Sequence, residues 1–73
     1  MGKYKVEDFE VGDTVYHLSN TTLKMVIINL YPDRSEIECR WITKAGEKLM
    51  DTFLAQELGK KSDLDPSISI ISL

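Results

Sequence analysis

Cys39 and His17 are the residues of this sequence best suited to covalent chemistry, because a thiol beside an imidazole can be activated as a nucleophile with the imidazole as its base. The pattern around Cys39 argues against that use. It alternates with Ile37 and Trp41 on an inward face, where a free thiol behaves as a small hydrophobe. His17 has no third group at a recognisable spacing to orient it and reads as a partly exposed strand residue. The carboxylate pairs Glu7-Asp8, Glu36/Glu38 and Asp63/Asp65 are candidates for acid and base work, which needs a desolvated pocket to raise one pKa. They fall in turns, near the ends or on outward strand positions, and read as solvated surface. Asp63-x-Asp65 opens like a calcium loop, but Pro66 and the missing later Gly and Glu end that reading. One Cys and one His in 73 residues cannot assemble a disulfide framework or a structural zinc site. We expect no catalytic residue, no cofactor and no metal.

Binding chemistry fits the residues better. Lys24, Arg40 and Lys44, with Tyr16 or Tyr31, have the composition of a small basic and aromatic patch that stacks a nucleic-acid base. The whole chain carries a net charge of −3, so a general electrostatic grip on a polyanion is not indicated. The charge is uneven, however: residues 1–18 carry −2, residues 19–44 carry +1 and residues 45–73 carry −2. Arg34, Arg40 and Lys44 each have an acidic residue within three positions in sequence, which favours an ordinary mixed surface. Trp41 is in phase with Ile37 and Cys39 and is expected in the core, not in a cage for a methylated cation. Tyr16 is out of phase with Val15 and is expected to be the exposed aromatic. For a protein-binding surface the candidate contacts are Tyr16, His17, Tyr31 and Arg40.

The elements that must hold these residues have a period of two. Ile37, Cys39 and Trp41 alternate with Glu36, Glu38, Arg40 and Ile42, the signature of a half-buried strand, and Pro32-Asp33-Arg34-Ser35 supplies the turn before it. Leu23 to Leu30 is rich in β-branched residues and forms the preceding strand of a hairpin. Thr14 to Leu18 is a further strand, entered through Gly12-Asp13, and Ser19 to Thr22 is the loop that follows it. Lys44-Ala45-Gly46-Glu47 is a hairpin turn, and Lys48 to Phe53 returns with Leu49 and Phe53 on one face. Leu54 to Leu58 reads as one helical turn stopped by Gly59 and Lys60-Lys61. Ser67 to Leu73 alternates again and is expected to close the sheet as its fifth strand. The apolar run Leu23–Leu30 is far shorter than the roughly 20 residues a membrane span needs. Charges interrupt residues 1–8 before a signal-peptide core develops, so a cytoplasmic location with no membrane partner is expected.

Phe9-Glu10-Val11-Gly12-Asp13-Thr14-Val15, Lys24-Met25-Val26-Ile27, Cys39-Arg40-Trp41, Phe53 and Glu57-Leu58 together resemble the YodC-like family of small bacterial proteins, whose biochemical role is not established. The resemblance runs from Phe9 to Leu58. It departs from the family pattern at Asn20-Thr21-Thr22, where many members carry Gly-Gly-Pro, and the tail after Leu58 lies outside it. It implies an SH3-like barrel similar to KOW and Tudor modules. The combined expectation is an all-β, single-domain chain over residues 1–73: a small SH3-like five-stranded barrel with one short helical turn before the last strand. Its expected role is a non-catalytic protein-interaction module, monomeric or weakly dimeric. An RNA- or ribosome-associated KOW-like module is the alternative, and Tyr16, His17, Lys24, Tyr31, Arg40 and Lys44 are the candidate surface.

Overall fold

The structure is a computed structural model and describes residues 4–64. Its strands are β1 (Thr14–His17), β2 (Asn20–Tyr31), β3 (Glu36–Ile42), β4 (Lys48–Leu54) and β5 (Leu58–Lys60). They form one antiparallel sheet in the order β4-β3-β2-β1-β5. The remaining regular pieces are short 3-10 turns at Val6–Asp8, Pro32–Arg34, Ala55–Glu57 and Lys61–Leu64. None of these is long and apolar enough to cross a membrane. β4 and β5 end the sheet on opposite edges, so among the described residues it is not closed by strand pairing.

Period-two patterning decides which side chains enter the core. Val15, Met25, Ile27, Ile37 and Cys39 project to one side and are buried with Val6, Phe9, Ala55 and Leu58. Trp41 and Phe53 are half-buried against this cluster, with ring centroids 6.3 Å apart. The Gly12-Asp13 entry works as its residue types require. Gly12 adopts φ 100°, and its N–H donates to the Ile27 carbonyl at 2.8 Å. The Asp13 carboxylate accepts the Glu10 N–H at 2.9 Å. Pro32–Arg34 turns the chain from β2 into β3, ending at Ser35 with a left-handed φ of 55°.

Two elements differ from the sequence reading. β2 begins at Asn20, where a loop through Thr22 was expected, because a register shift after Tyr16 brings His17 opposite Asn20 and leaves only Leu18-Ser19 to turn. The helical turn before the last strand is three residues of 3-10 helix, and Leu58-Gly59, expected as its end, start β5 instead. The closing strand expected at Ser67 to Leu73 lies outside the described residues.

Tyr16 explains the second difference and is itself a correction, since it is buried at 6% exposure where an exposed ring was expected. Tyr16 stands opposite Gly59 in the β1–β5 pair. A Cβ at Gly59 would clash with Tyr16 Cζ and the Tyr16 hydroxyl, so the ring lies directly across the bare glycine backbone. Gly59 is therefore a packing residue in a strand, not a helix stop. Gly59→Ala should destabilise the fold by ~1–3 kcal/mol through overpacking. Urea unfolding of the single variants and the pair checks the cause: the cost should shrink in a Tyr16→Ala background. An equal cost in both backgrounds would remove the ring contact as the reason.

Candidate binding face

The candidate nucleophile is sealed. Cys39 is 0% exposed at the centre of β3, and burial, with a smaller contribution from the Glu38 charge, pushes its thiol up to about 12. His17 is held by a separate set of contacts. Its Nδ1 accepts the Ser19 N–H at 3.1 Å, its Nε2 lies 3.6 Å from Glu57 Oε2, and its ring packs on Phe53 at 5.4 Å. The Ser19 hydroxyl also lies 2.7 Å from Nδ1. These contacts fasten the two-residue turn between β1 and β2, and none of them reaches Cys39.

Four of the paired carboxylates, Asp8, Glu36, Glu38 and Asp63, are likewise occupied by structure. Asp8 accepts the Lys5 N–H at 2.8 Å, and Asp63 accepts the Tyr4 hydroxyl at 2.8 Å and the Lys60 N–H at 3.2 Å. Burial of the Tyr4 hydroxyl, helped by the Asp63 carboxylate, raises its pKa. Glu38 accepts from Asn29 Nδ2 at 3.1 Å and from the Tyr31 hydroxyl at 3.0 Å, and the latter bond raises the Tyr31 pKa. Glu36 pairs with Arg34 at 3.0 Å, and the Arg34 guanidinium stacks 4.6 Å over the Tyr31 ring. Tyr31 is thereby tied into the polar end of the sheet, away from Lys24. Among the described residues, no group of three His, Cys, Asp or Glu is arranged to hold a metal ion.

The outward side of β2, β3 and β4 is different at its other end. Register places Val26 opposite Arg40, Arg40 opposite Met50, and Ile42 opposite Lys48, all on the side away from the core. Lys24, Val26, Arg40, Trp41, Ile42 and Lys48 line a shallow groove of ≈ 430 Å³. Ile42 and Met50 are 58% and 57% exposed, so apolar surface lies open between the cations. Lys24 Nζ donates to the Thr21 carbonyl at 2.7 Å. Among the described residues, none of Lys24, Arg40 and Lys48 makes an ion pair.

Of the six residues singled out in the sequence, the groove unites only Lys24 and Arg40. Tyr16 shares the outward side of β1 opposite Lys24 but is buried, and His17, Tyr31 and Lys44 lie elsewhere. Sequence reasoning missed Val26, Ile42, Lys48 and Met50. The signal for three of them was available: a hairpin turning at Thr43 to Glu47 pairs Ile42 with Lys48 and Arg40 with Met50.

Protein-family models, curated proteins and solved structures contain no match to this chain.

Burial of Cys39 has two measurable consequences. A thiol reagent should label the native chain slowly and the urea-unfolded chain fast, and Cys39→Ser should lower stability because it buries a hydroxyl in an apolar site. The raised thiol pKa favours the protonated form in the fold, so its contribution is complete below the ordinary pKa of 9.0 and declines as pH rises toward about 12. Urea midpoints between pH 8 and 12 should fall more steeply for the native sequence than for Cys39→Ala.

Proposed function

We propose that this chain is a non-catalytic binding module that docks an acidic protein partner on the outward face of β2, β3 and β4. The observation that carries the reading is the group Lys24, Arg40 and Lys48, without ion pairs among the described residues, around exposed Val26, Ile42 and Met50. Cations left unpaired on a chain of net charge −3 complement a negative surface, and the apolar side chains between them supply the desolvated centre of a protein interface. An RNA partner uses the same charges but needs open aromatic platforms. Tyr16 is buried and Tyr31 is engaged by Glu38 and Arg34, so the aromatic half of that chemistry is missing from the groove apart from half-buried Trp41. The inert setting of Cys39 and the structural role of His17 support a binding role over catalysis.

The fold is read in the same proposal as an SH3-like barrel. The order β4-β3-β2-β1-β5, with a 3-10 turn leading into a short last strand, supports the architecture implied by the resemblance to the YodC-like family. A free buried cysteine fits a reducing compartment, and the cytoplasm is the location we propose.

The test is an amide chemical-shift titration at low and high salt with two probes, an alternating Leu/Glu peptide and a mixed RNA oligonucleotide. The peptide should shift the amides of Lys24, Val26, Arg40, Ile42 and Lys48. Charge reversal by Arg40→Glu with Lys48→Glu should weaken that binding at least tenfold, about 1.4 kcal/mol. Shifts with RNA and none with the peptide would replace this reading by the nucleic-acid one.

A further inference from the structure

β4 carries an observation that the face alone does not use. It is the terminal strand of the sheet, seven residues long, and has neither Pro nor Gly. The bonds flanking its pair with β3 fix which backbone groups it has left. Thr43 N–H donates to the Glu47 carbonyl at 2.8 Å and Ala55 N–H to the Ser35 carbonyl at 2.9 Å. In the β3–β4 register these are odd-numbered positions, so Leu49, Asp51 and Phe53 bond to β3, and Lys48, Met50, Thr52 and Leu54 turn their N–H and C=O groups to the open edge.

Two of those four edge donors are already taken. The Thr52 N–H donates to Asp51 Oδ1 at 2.7 Å, and the Leu54 N–H donates to Glu57 Oε1 at 2.9 Å. Both partners are side-chain carboxylates, so a strand pairing at these two positions must first displace a charge-assisted hydrogen bond. Among the described residues the edge is therefore capped along its second half and open at Lys48 and Met50. Those two positions are the ones whose side chains border the cationic groove.

We propose that the open half of β4 accepts a short extended segment of a partner protein by strand addition, and that Asp51 and Glu57 fix where the added strand must end. The segment carries acidic and apolar side chains alternately on one face. A carboxylate opposite Lys48 meets an ammonium that has no ion pair among the described residues, with Arg40 in the next column, and an apolar side chain opposite Met50 covers its exposed surface. The inference rests on the proposed acidic protein partner and adds its binding mode.

The probe is the peptide acetyl-Thr-Leu-Thr-Glu-Thr-Leu-Thr-Glu-amide, whose Leu and Glu residues share one face. In antiparallel strand addition, the orientation proposed here, their N–H groups turn toward β4. N-methylation of the Leu and Glu residues should weaken binding about tenfold or more through the lost backbone bonds, whereas N-methylation of the Thr residues should leave it within about threefold. Hydrogen exchange should show the Lys48 and Met50 amides fast in the free chain and slowed by the peptide. Asp51→Ala should extend the slowing to Thr52, and Asp51→Asn, which keeps an acceptor oxygen, should not.

Equal binding of both methylated peptides would overturn strand addition and leave face docking standing. No binding of any peptide would overturn both readings. Lys48 and Met50 amides already slow in the free chain would also overturn the inference. Loss of that protection on dilution would then assign the edge to a second copy, and its persistence would assign it to the chain's own residues 67–73.

Discussion

The architecture depends on the close approach of the Tyr16 ring to the Gly59 backbone. β5 has three residues and among the described strands pairs only with β1, and a hydrogen bond of such a ladder contributes only about 1 kcal/mol net. The ring laid across Gly59 adds buried apolar area on the outward side while Leu58 is buried on the core side, so the short strand is held from both faces. β5 in turn anchors the turn before it. The Leu18 N–H donates to the Glu57 carbonyl at 2.9 Å, and the Glu57 side chain spans from the Leu54 N–H to the His17 ring. A contact between β1 and β5 thus reaches the far edge of the sheet through a single glutamate.

The outward face is divided by how its charges are satisfied. At the β2–β3 turn end, Glu36 and Glu38 find Arg34, Asn29 and Tyr31 within their own hairpin. The register shift between Ile27 and Asn29 makes this possible. An extra residue, Ile28, lets Val26 and Asn29 both face outward, so Asn29 meets Glu38 across the pair. Because Glu38 is engaged there, Arg40, two residues further on the same face, is left facing Val26 and Met50. Local pairing at one end is thus the physical reason that charge remains uncompensated at the other.

Strand positions and core side chains were legible because alternation is a direct record of which side meets water. Ile37, Cys39 and the Leu49/Phe53 face needed nothing beyond that record. Gly12 and Ser35 followed from turn chemistry. Tyr16 was misread because alternation identifies the face away from the core but not what lies on that face. Its cover, a glycine more than forty residues later, is a tertiary partner whose residue type was already explained by a different role. The groove was half legible for a similar reason. Lys24 and Arg40 stood out by charge, but Lys48, Ile42 and Met50 joined them only through cross-strand register, which the turn length fixes and composition does not show.

The carboxylate plugs bear on what kind of strand the β4 edge can accept. Leu49, Met50 and Leu54 are exposed on this edge, and an unguarded edge of that composition would pair with its own copy. Antiparallel self-pairing centred on Met50 sets Lys48 opposite Thr52 of the second copy, and that N–H is held by Asp51. Centring on Asp51 sets Lys48 opposite Leu54, whose N–H is held by Glu57, and also brings the two Asp51 charges together. Centring on Lys48 opposes two ammonium groups. The remaining nearby register, centred on Leu49, bonds only Lys48 with Met50 before the chain turns away at Gly46. Every long self-pairing must therefore displace charge-assisted hydrogen bonds or juxtapose like charges, whereas a foreign acidic segment ending beside Asp51 does neither. The edge discriminates by its backbone caps as much as by its side chains, which suits a domain too small to hold a binding site inside its core.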